Sequence, residues 1–346
     1  MGAVLEEIAV RPRMRFDRVL RTAYLAGLGT ALPEERVSNE QIAARLGCFD
    51  AEDIESRTGI RQRRFASPKQ RTSDLAVEAS RAALRQADLD ADAVDLILLA
   101  TASPDHLMPA TACRVQHLLG AGRAAAMDLA AACSGFLYAL WVGQQFIQTG
   151  QASCVLVIGA EVMSRIVDPT DPQTAILFGD GAGAAVLTAS DGPYRLGRCW
   201  ARTWGEHYSC LIRPGGTAAA EDAQTEATNG SFMRMDGRRV FRAAVEGFSE
   251  AIAQTAEAND LGLEDLNWIV PHQANARIFS QVADRLGIPL ERFWLNLDEY
   301  GNTCAASVPL ALAELDRERL VRPGDRLLLA SVGAGITTAG AALFVE

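Results

Sequence analysis

The chain runs through one order of helices and strands twice, at an offset of roughly 170 residues. Solenoid repeats recur every ~20–50 residues, so so long an offset means two copies of a whole domain. In the first copy a helix-like run, Ser73 to Ala87, leads to strand-like Asp95-Leu-Ile-Leu-Leu-Ala100. In the second, Arg239 to Asn259 leads to Asp265-Leu-Asn-Trp-Ile-Val270. A helix closing on Leu119-Gly120 matches one closing on Leu286-Gly287. Short strands are then expected at Ala124 to Leu129 and at Arg292 to Leu297. The turn that follows carries Cys133 in one copy and Asn302 in the other, and long apolar helices run on to Thr149 and Leu320. Buried strands come next, Cys154 to Ile158 and Arg326 to Ala330. Gly-rich turns, Gly179 to Gly183 and Gly333 to Gly335, lead to closing strands at Ala184 to Thr188 and Gly340 to Val345.

Helices alternating with short Val/Ile/Leu strands predict an α/β fold with buried sheets. The pattern divides the chain into an arm, 1–21, and two halves, 22–190 and 191–346. Gly192 to Met235 reads as less regular, and Gly215 to Asn229 as a loop over the site. His272 ends the strand equivalent to the one before Thr101. A pseudo-twofold axis between the halves brings Cys133, His272 and Asn302 together.

Those three residues carry the chemistry. Cys133 lies where an apolar strand meets an apolar helix, in Asp128-Leu-Ala-Ala-Ala-Cys-Ser-Gly135. A helix N-terminus favours thiolate over thiol. Cys, His and Asn together point to nucleophilic acyl chemistry. A papain-like hydrolase shares that chain order, but the duplication argues against it. A non-catalytic subunit has no need of all three. Cys113, Cys154 and Cys304, each in an apolar run, read as buried structural thiols. His106, His117 and His207 read as structural or surface residues. Gly179 to Gly183 precedes a strand rather than a helix, so it reads as close packing and not as a phosphate loop.

Composition excludes other classes. A net charge of −10 argues against nonspecific nucleic-acid binding. Seven cysteines with no CxxC pair suggest free thiols in a reducing cytoplasm and no metal site. No apolar signal core opens the chain. The charge-free stretch between Asp128 and Glu161 is broken by Gln144, Gln145, Gln148, Gly150 and Gln151, too often for the roughly 20 residues of a membrane span.

Five motifs stand in order: Arg57-Thr-Gly-Ile60, Asp128 to Gly135, Phe178-Gly-Asp-Gly-Ala-Gly-Ala184, Val270-Pro-His-Gln-Ala-Asn275 and Gly301-Asn-Thr-Cys-Ala-Ala-Ser-Val-Pro309. With them the chain resembles the ketoacyl-acyl-carrier-protein synthase III family from about Thr22 to Glu346. The resemblance implies a thiolase-like fold of two duplicated halves in α-β-α-β-α layers. It implies that Cys133 takes an acyl group from a thioester and condenses it with a malonyl thioester, losing CO2. His272 and Asn302 then serve the decarboxylation, and the backbone N–H groups of Cys133 and Ala334 the oxyanion. It also implies an acyl carrier protein as partner, an isologous homodimer, and no metal or redox cofactor, CoA or phosphopantetheine arriving with the substrate.

Several positions depart from the family. Asp53 and Pro172 stand where a Trp and an Arg hold the CoA adenine, while Arg57 remains. The donor is therefore open between CoA and carrier protein. Met108 stands where the family has a Phe that shapes the acyl pocket across the dimer. Gly333-Ala-Gly-Ile336 replaces Gly-Gly-Gly-Phe. Arg238, Arg239, Arg242, Arg277 and Arg285 form a candidate docking patch for an acidic carrier. The alternative function is acyl transfer to a hydroxyl or amine without condensation.

Overall fold

Leu96-Ile-Leu-Leu-Ala100 is apolar at every position, so a strand built from it must be covered on both faces. The computed structural model describes residues 20–214 and 232–346. The first copy contributes β1 (Tyr24–Ala31), a hairpin of β2 (Glu35–Ser38) and β3 (Gln62–Phe65), then β4 (Leu96–Ala100), β5 (Ala125–Leu129), β6 (Cys154–Glu161) and β7 (Gly181–Thr188). The second contributes β8 (Tyr194–Thr203), a short pair β9 (Leu211–Ile212) and β10 (Arg234–Met235), then β11 (Trp268–Pro271), β12 (Arg326–Gly333) and β13 (Thr337–Val345). Nine of these strands join in the order β11-β12-β13-β8-β1-β7-β6-β4-β5. The copies meet where β1 pairs antiparallel with β8 through Tyr24–Arg195 and Leu25–Tyr194. Within each copy the strands that lead to the site run parallel, β4 with β5 and β6, and β11 with β12.

The two-residue period of the strands sorts the layers. Leu96, Leu98 and Ala100 point to an inner layer, with Leu327 and Leu329 of the second copy. That layer holds helices Gly135–Gln148 and Ser307–Arg317, which bury Phe136, Leu137, Leu140, Leu312 and Leu315. Each of these side chains contributes roughly 1.5–3 kcal/mol by leaving water. The alternate residues, Ile97 and Leu99, face helix Thr72–Gln86 on one outside. Leu328 and Ala330 face helices Gly237–Ala258 and Ala276–Leu286 on the other. Helix, sheet, helix, sheet, helix is the expected layering.

Two expectations about elements fail. Arg292 to Leu297 is not a strand. It is a 3-10 turn, Leu290–Arg292, one bridge from Phe293 to Ile269, and a short helix, Leu297–Tyr300. The Gln273 side chain takes over the ladder, accepting from Asn296 N–H at 3.0 Å and donating to the Trp294 carbonyl at 3.1 Å. Of the stretch Gly192 to Met235, the described part up to Pro214 is more regular than expected, because β8 is a long strand and the counterpart of β1. Arg195, Gly197, Arg198 and Arg202 hide its alternation. The Gly-rich turn is close packing, as read: a Cβ at Gly179 would sit 2.3 Å from the Tyr300 carbonyl oxygen. Most of the arm, 1–19, and the loop Gly215 to Asn229 lie outside the described residues.

Candidate active site

Asp128 at the end of β5 accepts the Thr111 and Ala112 N–H groups at 2.7 and 2.8 Å, tying the strand to helix Thr111–Leu119. Beyond it the chain turns sharply. Ala132 takes the left-handed conformation, φ 45°, and the 3-10 turn Ala132–Ser134 feeds directly into helix Gly135–Gln148. Such backbone strain on a non-glycine residue gathers at functional sites. The second copy repeats the device in turn Cys304–Ala306, with Cys304 at φ 49°. Matched turn to turn, Ala132 answers Cys304 and Cys133 answers Ala305. Gly333, the last residue of β12, lies against the Cys133 turn so closely that a Cβ there would stand 2.7 Å from the Ser134 nitrogen. Ala334, the expected second oxyanion donor, follows it directly and lines the same cavity as Cys133.

His272 follows β11, with its N–H bonded to the Ala330 carbonyl at 2.8 Å, and its imidazole is close enough to act on the Cys133 thiol. The Oδ1 of Asn302 accepts the Cys304 N–H at 2.9 Å. That bond fixes the amide and frees its NH2 end. All three residues are buried, and all three line one cavity of about 320 Å3. The convergence expected of the three residues is present.

Cys304 is more than a structural thiol. Its sulfur lies 3.4 Å from that of Cys133. Donation of the Cys304 S–H holds the Cys133 thiol well below its ordinary range, against the opposing effect of burial and with help from His272. Cys304 is pushed well above that range by the same bond, then by burial and by the charges of Cys133 and Glu161. Glu161 ends β6, close enough to Cys304 for its charge to act on that thiol. It accepts from Thr101 Oγ1 at 3.1 Å, Ala102 N–H at 2.9 Å, and both the N–H and hydroxyl of Ser103. Burial outweighs those donors and pushes its carboxyl up to about 7. Sequence reasoning passed over Glu161, although a charge closing a charge-free apolar stretch was a signal. Cys154 is buried as read, but Cys113 is exposed.

The cavity mouth carries Arg57, Pro172, Arg277 and Phe49. The Arg57 guanidinium lies over the Phe49 ring, 4.7 Å from its centroid. Phe49 thus supplies an aromatic face that Asp53, off the cavity on helix Ala51–Thr58, does not. Arg238, Arg239 and Arg242 are exposed on the first turns of a helix whose Val240 and Phe241 line the cavity. Arg285 lies apart from them, at the far end of helix Ala276–Leu286, beside Glu246 and Glu250. Met108 does not line the cavity of its own chain, and it is 87% exposed. Among the described residues no helix is long and apolar enough to cross a membrane.

Comparison with known proteins agrees with this geometry. Residues 127–201 match the model of 3-oxoacyl-[acyl-carrier-protein (ACP)] synthase III, and residues 256–345 the model of its C-terminal part. A β-ketoacyl-[acyl-carrier-protein] synthase III of Roseiflexus castenholzii is 41% identical over 93% of this chain and 97% of its own. The crystal structure of the Aquifex aeolicus 3-oxoacyl-[acyl-carrier-protein] synthase III superposes with a TM-score of 0.85 at 38% identity, covering 93% of this chain and 99% of the other. A priming β-ketosynthase of a polyketide biosynthetic pathway gives 0.89 at 35%, covering 97% and 99%. With its thiolase fold and its Cys-His-Asn cavity, the chain belongs to the 3-oxoacyl-[acyl-carrier-protein] synthase III family of condensing acyltransferases.

Proposed function

We propose that the protein starts fatty-acid or polyketide chains by joining an acyl group to a malonyl thioester. The supporting observation is the single cavity on which Cys133, His272 and Asn302 open together. The Cys133 thiolate attacks the acyl thioester carbon, the donor thiol leaves, and Cys133 carries the acyl group. N–H groups of Cys133 and Ala334 stabilise the oxyanion, each worth about 2.7–4 kcal/mol. The malonyl thioester then enters. Its carbonyl accepts from His272 and from the free NH2 of Asn302, so the C–C bond to the carboxylate breaks as an enolate forms. That carbon attacks the acyl-cysteine, the C–S bond breaks, and Cys133 is released as the thiolate that began the cycle.

Carrier protein brings the malonyl group, with Arg242 and its neighbours as the acidic partner's landing site. Two chains pair through the loop that exposes Leu107 and Met108, at 85% and 87%, and Met108 reaches the partner's acyl pocket. The test offers the enzyme a panel of acyl thioesters with a malonyl-carrier thioester. CO2 and a 3-oxoacyl product should form in equal amounts. Acyl transfer to a hydroxyl or amine with no CO2 would instead mean a transferase without condensation.

A further inference from the structure

We propose that Cys133 and Cys304 are a reversible redox pair, closing a disulfide under a peroxide oxidant and so sparing the nucleophile from irreversible oxidation. The sulfurs are 3.4 Å apart, and a disulfide needs about 2.0 Å. The two turns that carry them meet at the contact between the copies. The cavity is lined by Cys133 but not by Cys304. A water-sized peroxide therefore meets the nucleophile first, and Cys304 waits behind it as the resolving thiol.

The chemistry balances within the site. The Cys133 thiolate attacks one peroxide oxygen, the O–O bond breaks, the hydroxide expelled takes up the proton that Cys133 had released and leaves as water, and Cys133 becomes a sulfenic acid. Its negative charge is then gone, and with it a cause that holds the proton on Cys304. The Cys304 sulfur passes its proton to Glu161 and attacks the sulfenic sulfur. The hydroxide expelled takes that proton and leaves as water. Two thiols have lost two hydrogen atoms, and one peroxide has become two waters. A dithiol reverses the reaction by exchange. An acyl group on Cys133 removes the thiolate and blocks the first step. That arm alone rests on the proposed function.

The test treats reduced protein with hydrogen peroxide and maps peptides without reductant. Cys133 and Cys154 share one tryptic peptide, so fragmentation must place the link. Wild type should give a Cys133–Cys304 link, lighter by two hydrogen atoms and reopened by dithiothreitol. In Cys304→Ser, Cys133 should pass on to sulfinic and sulfonic acids, and thiol recovery should fall roughly tenfold. Peptide mapping needs no turnover, so a failed condensation assay and a failed redox proposal remain distinguishable. A wild-type protein in which Cys133 reaches those acids with no link to Cys304 overturns the proposal. So does equal recovery in wild type and a folded Cys304→Ser. If that variant does not fold, the wild-type link decides alone.

Discussion

Cys133 is held toward the thiolate first by a neutral neighbour, the Cys304 S–H, and second by His272. Cys304→Ala removes the donor, so the Cys133 titration should move up. Alkylation should then slow near neutral pH and recover as pH rises, while Cys304→Ser, which keeps a donor, should recover most of the rate. A profile unmoved in Cys304→Ala would leave the shift to His272 alone. That Cys133, His272 and Asn302 share one cavity was legible in the sequence, because their residue types and motifs name a chemistry and the duplication sets them together. Cys304 was not, because an apolar run around a cysteine reads as core. Only the turn-to-turn match of the two copies sets it beside Cys133.

The elements hold this cluster by close backbone approach. Gly159 of β6 is the tightest case, since a Cβ there would stand 2.2 Å from the Ala305 carbonyl oxygen. Gly159→Ala must push the Cys304–Ala306 turn away, at a cost of about 1–3 kcal/mol. Denaturant unfolding should report that loss, and Cys133 alkylation at neutral pH should slow with it. A variant as stable and as reactive as wild type would mean the two turns are not locked together. Helices and buried strands were readable from their apolar runs. The strand expected at Arg292 to Leu297 was not to be trusted, because a side chain, that of Gln273, does the work of a ladder there. β8 escaped because charged and glycine residues interrupt its period.

At the scale of the whole molecule the duplication explains why one site forms: each copy contributes a sheet edge and a strained turn, and the chemistry lies where they meet. The docking proposal belongs to the outer surface. Arg242→Glu should lower kcat/KM for carrier-bound substrate and weaken its salt dependence, because such attraction is screened over about 8–10 Å. A small thioester mimic should be used as before. If carrier-bound turnover is untouched, the landing site is elsewhere. The account stands most directly on intact-protein mass after exposure to an acyl thioester, followed by peptide mapping. One acyl adduct should appear, on Cys133. It should vanish in Cys133→Ala and persist in His272→Ala and Asn302→Ala, neither of which should release CO2 from a malonyl thioester. An adduct that survives Cys133→Ala, or that maps to Cys304, contradicts it.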